Sequence, residues 1–259
     1  MVSDATSNCM QYFQDLEFDL PAALLRELVE LFARMSAAPL SQQYSTALAD
    51  GQGVYQLYHR GKLVYIGKTD NEAGLRKRLL RHCEKISSRL NLDPSDVSFK
   101  AVRIYVFTAM DLEGALIRHY RTEQGGLAWN NSGFGSNDPG RKRDHSKLKN
   151  DHFDYCHPIN LDFRVSVGSQ HYLTAAAILT ELKEKLPYTI RFETRSPGSK
   201  RPHTDLSNAV VELDHGPQTV RSILESISRA LGPDWQITAL PGYVIVYRES
   251  EHYDHGLVI

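Results

Sequence analysis

Tyr55 and Tyr65 stand ten residues apart in two glycine-bearing tripeptides, Gly53-Val54-Tyr55 and Tyr65-Ile66-Gly67. Arg78 and His82 are four apart, so on a helix they share one face. Glu113 sits two residues past Asp111, at a predicted helix start. These residue types match the needs of phosphodiester hydrolysis: an activated nucleophile, neutralised phosphate charge and a stabilised leaving group. One carboxylate such as Glu113 can hold a hard divalent ion, Mg²⁺ or Mn²⁺, that keeps several of its waters. Arg78 can grip a non-bridging phosphate oxygen with planar donors. A tyrosine is a general base only if its pKa of about 10 is pulled down. Lys68, Arg78 or a metal-bound water network could do that. Each residue also has a plainer reading: tyrosines on strands usually pack as half-buried aromatics, and Glu113 at a helix start favours the dipole.

The flanking pattern predicts the elements that must carry these groups. Asp19-Leu20-Pro21 opens a helix with Leu24, Leu25, Leu28, Leu31 and Phe32 on one face, ending near Pro39. Residues 40–52 read as a loop. Val54–Tyr58 and Leu63–Ile66 read as strands joined by a turn at Arg60-Gly61-Lys62, the second stopping at Gly67. A cationic helix follows over 72–90, broken at Asn91–Pro94, then a strand from Phe99 to Phe107 and a helix from Asp111 to about Arg121. Residues 124–150, rich in Gly, Asn and basic side chains, read as a functional loop. Beyond it the pattern predicts strands at 161–168, 188–194 and 209–213, helices at 172–186 and 217–231, a polar loop over 196–207, and a closing hairpin of Trp235–Ala239 with Tyr243–Arg248. The expectation is an α+β chain in three parts: an N-terminal helical arm (1–50), a core (51–158) and a C-terminal α+β extension (159–259).

The net charge of −1 hides an asymmetry. Residues 60–150 hold 18 Lys/Arg against 10 Asp/Glu, and the flanks hold 12 against 21, which points to one polyanion-facing surface in the middle. Arg76, Arg81, Arg141, Lys142, Arg143 and Lys147 are the candidate contacts, since basic side chains can follow a phosphate backbone and Arg can read guanine edges. No stretch approaches the apolar length of a membrane span, and the N-terminus lacks the order of a secretory signal. Cys9, Cys83 and Cys156 are few and far apart, so a reducing, cytoplasmic setting is expected rather than a disulfide framework. His152, Cys156 and His157 lack the second ligand pair that a zinc site needs.

The paired tripeptides, on adjacent predicted strands before a basic helix, resemble the signature of the GIY-YIG nuclease superfamily, with Val54 in place of Ile. The resemblance covers about residues 50–150. It implies a small three-stranded antiparallel sheet flanked by helices, an Arg on the first core helix (Arg78), a Glu metal ligand at the start of the next (Glu113), and a downstream Asn (Asn130, with Asn131 as the alternative). It also implies roles: Tyr55 as base, Tyr65 as positioner of phosphate or water, and His82 as the group that orients Tyr55 or relays its proton. The Arg78/His82 pair and the segment 133–140 resemble one branch, the type II restriction endonucleases related to the SacII isoschizomers, which cut CCGCGG. The expected activity is metal-dependent cleavage of double-stranded DNA by a homodimer assembled on it. A mobile-element, repair or anti-phage nuclease, or a degenerate DNA-binding module, stands as the alternative. The acidic tail, without a chemical motif, reads as structural or partner-binding.

Overall fold

The computed structural model describes residues 17–70, 72–105, 111–135, 138, 140–168, 171–214 and 216–259. The first half is built on a four-stranded antiparallel sheet in the order β1-β4-β2-β3. Its strands are β1 (Ala38–Pro39), β2 (Gly53–His59), β3 (Lys62–Thr69) and β4 (Val97–Arg103). On one face lies α3 (Leu75–Ser87), packed with Trp129, Phe134 and Phe153. On the other lie α1 (Leu20–Arg34) and α4 (Leu112–Gln124), with α2 (Gln42–Thr46) against α3. β2 is central and buried on both faces, which suits its run of apolar and aromatic residues.

Local chemistry sets the element ends. Asp19 caps α1, accepting from Ala22 N at 3.0 Å, with Pro21 in the first turn. Asp111 caps α4 by accepting from Gly114 N at 3.1 Å, and Gly125 closes that helix at φ 72°. The expected stop at Gly67 is corrected: β3 runs on to Thr69. Gly67 pairs with Tyr55 in register, and a Cβ there would collide with the Tyr55 hydroxyl and come within 2.8 Å of Tyr65 Cε1. The glycine makes room for a ring and does not break the strand. The three-stranded sheet gains β1 at its edge, and the expected loop 40–52 contains α2, capped by Ser41. The third strand starts at Val97 and ends at Arg103, while residues 106 and 107 of the expected span lie outside the described residues.

Residues 159–259 gather around a core of their own. A second four-stranded sheet has the order β12-β10-β11-β7, from β7 (Thr189–Phe192), β10 (Gln236–Ala239), β11 (Tyr243–Tyr247) and β12 (Leu257–Val258). Two short pairs accompany it: β5 (Arg164–Val165) with β9 (Gln218–Thr219), and β6 (Tyr172–Thr174) with β8 (Val210–Glu212). Helices α6 (Ala175–Lys185) and α8 (Val220–Leu231) bury Ile178, Leu179, Ile223 and Leu224 against it. The short α5 (Phe153–Cys156), capped by His152, leads into this half. The strand expected over 161–168 shrinks to two residues, and the expected polar loop contains α7 (Thr204–Asn208), capped by His203.

The two halves are pinned together by buried charge. Arg89 lies 2.8 Å from Asp154 and donates to the carbonyls of His157 and Pro241. Arg191 of β7 pairs with Asp144, which also accepts from the Tyr243 hydroxyl at 2.8 Å.

Candidate active site

Antiparallel register decides that the two tyrosines meet. Tyr55 faces Gly67 and Tyr65 faces Leu57, so the two rings lie diagonally on one face of the sheet, 6.1 Å between centroids. Helix α3 crosses that face and places His82 over them. The His82 Nε2 atom is 2.7 Å from the Tyr55 hydroxyl. The Tyr65 ring lies on the other side of Tyr55, tilted 39° to it. Phe134 stacks on His82 at 4.8 Å and meets Tyr65 edge-on at 5.0 Å, closing the cluster from the loop. Tyr55 is sealed, at 1% exposure, while Tyr65 keeps partial access beside Gly135.

Burial governs the protonation states. It lifts Tyr55 well above the usual phenol value, with Tyr65 adding to the rise and Arg78 opposing it. Tyr65 is lifted for the same first reason, then by the Glu113 charge. His82 is held well below 6.5, by burial first and then by Arg78, Lys85 and Arg81. At neutral pH the site therefore rests as two phenols and a neutral imidazole. Glu113 is raised by burial, opposed by Lys68 and Arg78. Lys68 lies 3.5 Å from Asp111 and 3.9 Å from Glu113. Arg78 is thus coupled to all four groups, and its buried Nε has no hydrogen-bond partner among the described residues. Tyr55, Tyr65, Lys68, Arg78, His82 and Glu113 are brought into one neighbourhood.

Asn130 sits differently. Its Oδ1 accepts from Ile66 N and its Nδ2 donates to Ile66 O, both at 2.9 Å, so the side chain clamps the outer edge of β3. Asn131, at φ 62°, instead lines a cleft that opens onto Arg78 and His82. Two participants were not singled out from the sequence. Lys85 donates to the Phe134 carbonyl, and burial pushes its pKa down to about 8. Phe134 packs on the imidazole. Lys85 follows His82 by three residues on α3, so helical spacing was a usable signal, whereas Phe134 comes from an irregular loop with no period to read.

The expected DNA contacts divide. Arg81 and Arg143 line the cleft, and Lys142 is exposed. Arg76 donates to Leu48 O at 2.9 Å, tying α3 to the segment before β2. Arg141 is held by Glu193 at 2.9 Å and Glu249 at 3.5 Å, with its guanidinium 4.1 Å over the Tyr247 ring. Lys147 reaches Asp254 at 3.6 Å. Ser136, Asn137 and Pro139 of the Gly-rich segment lie outside the described residues.

No helix among the described residues is long and apolar enough to cross a membrane. No curated protein matches the chain. A family model, the Eco29kI GIY-YIG domain, matches residues 64–184. The matched span takes in Tyr65, Arg78, His82 and Glu113, while Gly53-Val54-Tyr55 lies ahead of it and joins the site through β2–β3 pairing. With this match added to the paired tyrosines, their helix and their sheet, the chain carries a GIY-YIG domain, and the match supports its place in the GIY-YIG superfamily.

Proposed function

We propose that the protein is a metal-dependent endonuclease that hydrolyses double-stranded DNA, of the type II restriction kind. The observation that carries this reading is the line Tyr65–Tyr55–His82, set beside Arg78 and Glu113. The matched family model, from a restriction endonuclease family, supports the same reading.

The protonation states favour a relay over a resident phenolate. A phenol has one proton to give. With the Tyr55 proton given to His82 Nε2, a hydrogen bond between the two hydroxyls in the reacting complex has Tyr65 as its donor, and the Tyr65 oxygen is left to accept from a water. As that water attacks phosphorus, its proton passes to Tyr65, the Tyr65 proton to Tyr55 and the Tyr55 proton to His82. Both phenols end neutral, the imidazole becomes imidazolium, and the P–O bond breaks with the leaving oxygen taking a proton from solvent; the imidazolium then returns its proton to solvent. Tyr65 is then the group that touches the water, and Tyr55, sealed behind it, passes the proton on. This exchanges the roles that the resemblance implied. The low proton affinity of His82 comes partly from Arg78, Arg81 and Lys85. A bound phosphate offsets those cations and so readies the imidazole when substrate arrives. Arg78 carries the phosphate charge through its guanidinium.

Glu113 is the residue that would hold the divalent ion. The fit rests on a half-buried carboxylate raised by burial, which a cation would relieve. A single carboxylate suits Mg²⁺, which retains most of its waters. When bound, the ion supplies charge neutralisation on the phosphate.

A palindromic target has two symmetry-related phosphates and one core has one site, so the active form is a homodimer on DNA. Light scattering on a short specific duplex tests this, and one protomer per duplex would overturn it. Run-off sequencing of digested plasmid tests the restriction reading. Cuts confined to one short palindrome support it, with CCGCGG the first candidate. Scattered or branch-directed cuts would instead favour a mobile-element, repair or defence nuclease.

A further inference from the structure

We propose that residues 159–259 form the far wall of a groove that seats one DNA strand beside the scissile phosphate, so that this half of the chain contacts DNA. The inference rests on the nuclease reading and says where its substrate lies.

The groove is the cleft of about 630 Å³ that opens onto Arg78 and His82. Its near wall is α3, through Arg81 and Lys85, with the loop carrying Arg143 and Lys149. Its far wall is Pro187–Thr189 at the start of β7 and Leu240–Tyr243 leading into β11. The charge balance favours a polyanion. Each acidic side chain in the lining already faces a cation: Asp138 and Asp144 face Arg191, Asp154 faces Arg89, and Asp254 faces Lys147. Arg81, Arg143 and Lys149 make no ion pair among the described residues, and each is exposed. Unpaired cations along a cleft that runs from a phosphate-cleaving site are where a phosphodiester backbone is held.

The far wall is held in place. Ile159 N donates to Pro241 O at 2.9 Å, and Arg89 donates to the same carbonyl at 3.3 Å. The groove thus exists before substrate arrives, and ordering it costs little on binding. Thr189 lies on this wall at a half-exposed position paired with Tyr243, so a longer polar side chain there can project into the cleft.

The test is anisotropy of a labelled duplex against salt, in Ca²⁺ to prevent cleavage, on the full-length chain. Thr189→Lys should tighten binding about threefold or more and steepen the salt slope by about one, as one added phosphate contact would. Thr189→Glu should weaken binding by a similar factor. Asp254→Asn, an isosteric change at an exposed position, should tighten binding, so the inference stays testable if a Thr189 variant misfolds. Val210→Lys and Val210→Glu, on exposed β8 away from the cleft, control for net charge and should leave affinity within about twofold. If the Thr189 and Asp254 variants match the wild type or the Val210 pair while the wild type cuts DNA, the wall assignment is wrong and the nuclease reading stands. A wild type that neither binds nor cuts any duplex overturns both.

Discussion

At the scale of single residues, the account turns on two phenols and an imidazole in series. The relay needs both hydroxyls, so Tyr55→Phe and Tyr65→Phe should each lower the single-turnover rate by at least ~100-fold, the usual lower range for losing base catalysis. Duplex affinity should stay near wild type in both. A small loss for Tyr65→Phe beside a large one for Tyr55→Phe would return the base role to Tyr55. The imidazole also makes stability depend on pH. Folded His82 stays neutral well below 6.5, while the unfolded chain takes up a proton near 6.5. Below that pH the unfolded state binds more protons, so stability is full above about pH 6.5 and falls as the pH drops towards the folded value. His59 and His157, also lowered by burial, add to the same slope. Thermal melts between about pH 5 and pH 7 should show this decline, and His82→Gln should flatten it. An unchanged slope in that variant would mean that the fold does not hold the His82 imidazole below its usual pKa.

At the scale of elements, the core was legible because its signals are local. The β-prone runs around Tyr55 and Tyr65, the turn at Gly61, the four-residue step from Arg78 to His82 and the Asp111 cap are all short-range features. What was not legible depends on contacts across the chain. Gly67 looked like a strand end because glycine punctuates loops, yet its position is set by the Tyr55 ring on the next strand. Asn130 has both ends of its side chain bonded to Ile66, a contact across 64 residues that no local pattern signals. Short elements such as α2 and α7 escaped because one helical turn carries no period. The Gly67 argument is testable. Gly67→Ala should destabilise the protein by about 1–3 kcal/mol through overpacking, read by chemical denaturation. Tyr55→Phe in the same background should recover part of that loss by removing the hydroxyl that the methyl meets. No recovery would mean that the methyl is resisted by the ring carbons, Tyr55 Cζ at 2.5 Å and Tyr65 Cε1 at 2.8 Å, and not by the hydroxyl.

At the scale of the whole molecule, the basic loop and the acidic tail that seemed separate in the sequence meet at one interface. Arg141, read as a DNA contact, is held by Glu193 and Glu249, and Asp144 is buried between Arg191 and Tyr243. Charge counts along the chain could not show this pairing, because the partners lie 47 or more residues apart. Asp144 is 1% exposed at its side chain, and removing it takes one of the two carboxylates from Arg191 and the acceptor from the Tyr243 hydroxyl, leaving Asp138 at 3.2 Å. Asp144→Ala should cost about 1–3 kcal/mol in unfolding free energy through the lost hydrogen bonds to Arg191 and Tyr243, and no measurable loss would mean that the halves are not fastened there. The central claim, hydrolysis of DNA at a site organised around Glu113, is tested most directly by incubating supercoiled plasmid with wild type and Glu113→Ala, with and without Mg²⁺. The account predicts nicked or linear product only from the wild type with the ion, and duplex binding by Glu113→Ala within a few-fold of wild type, since Lys and Arg contacts to phosphate dominate affinity. Cleavage by Glu113→Ala in Mg²⁺ at near wild-type rate would contradict it.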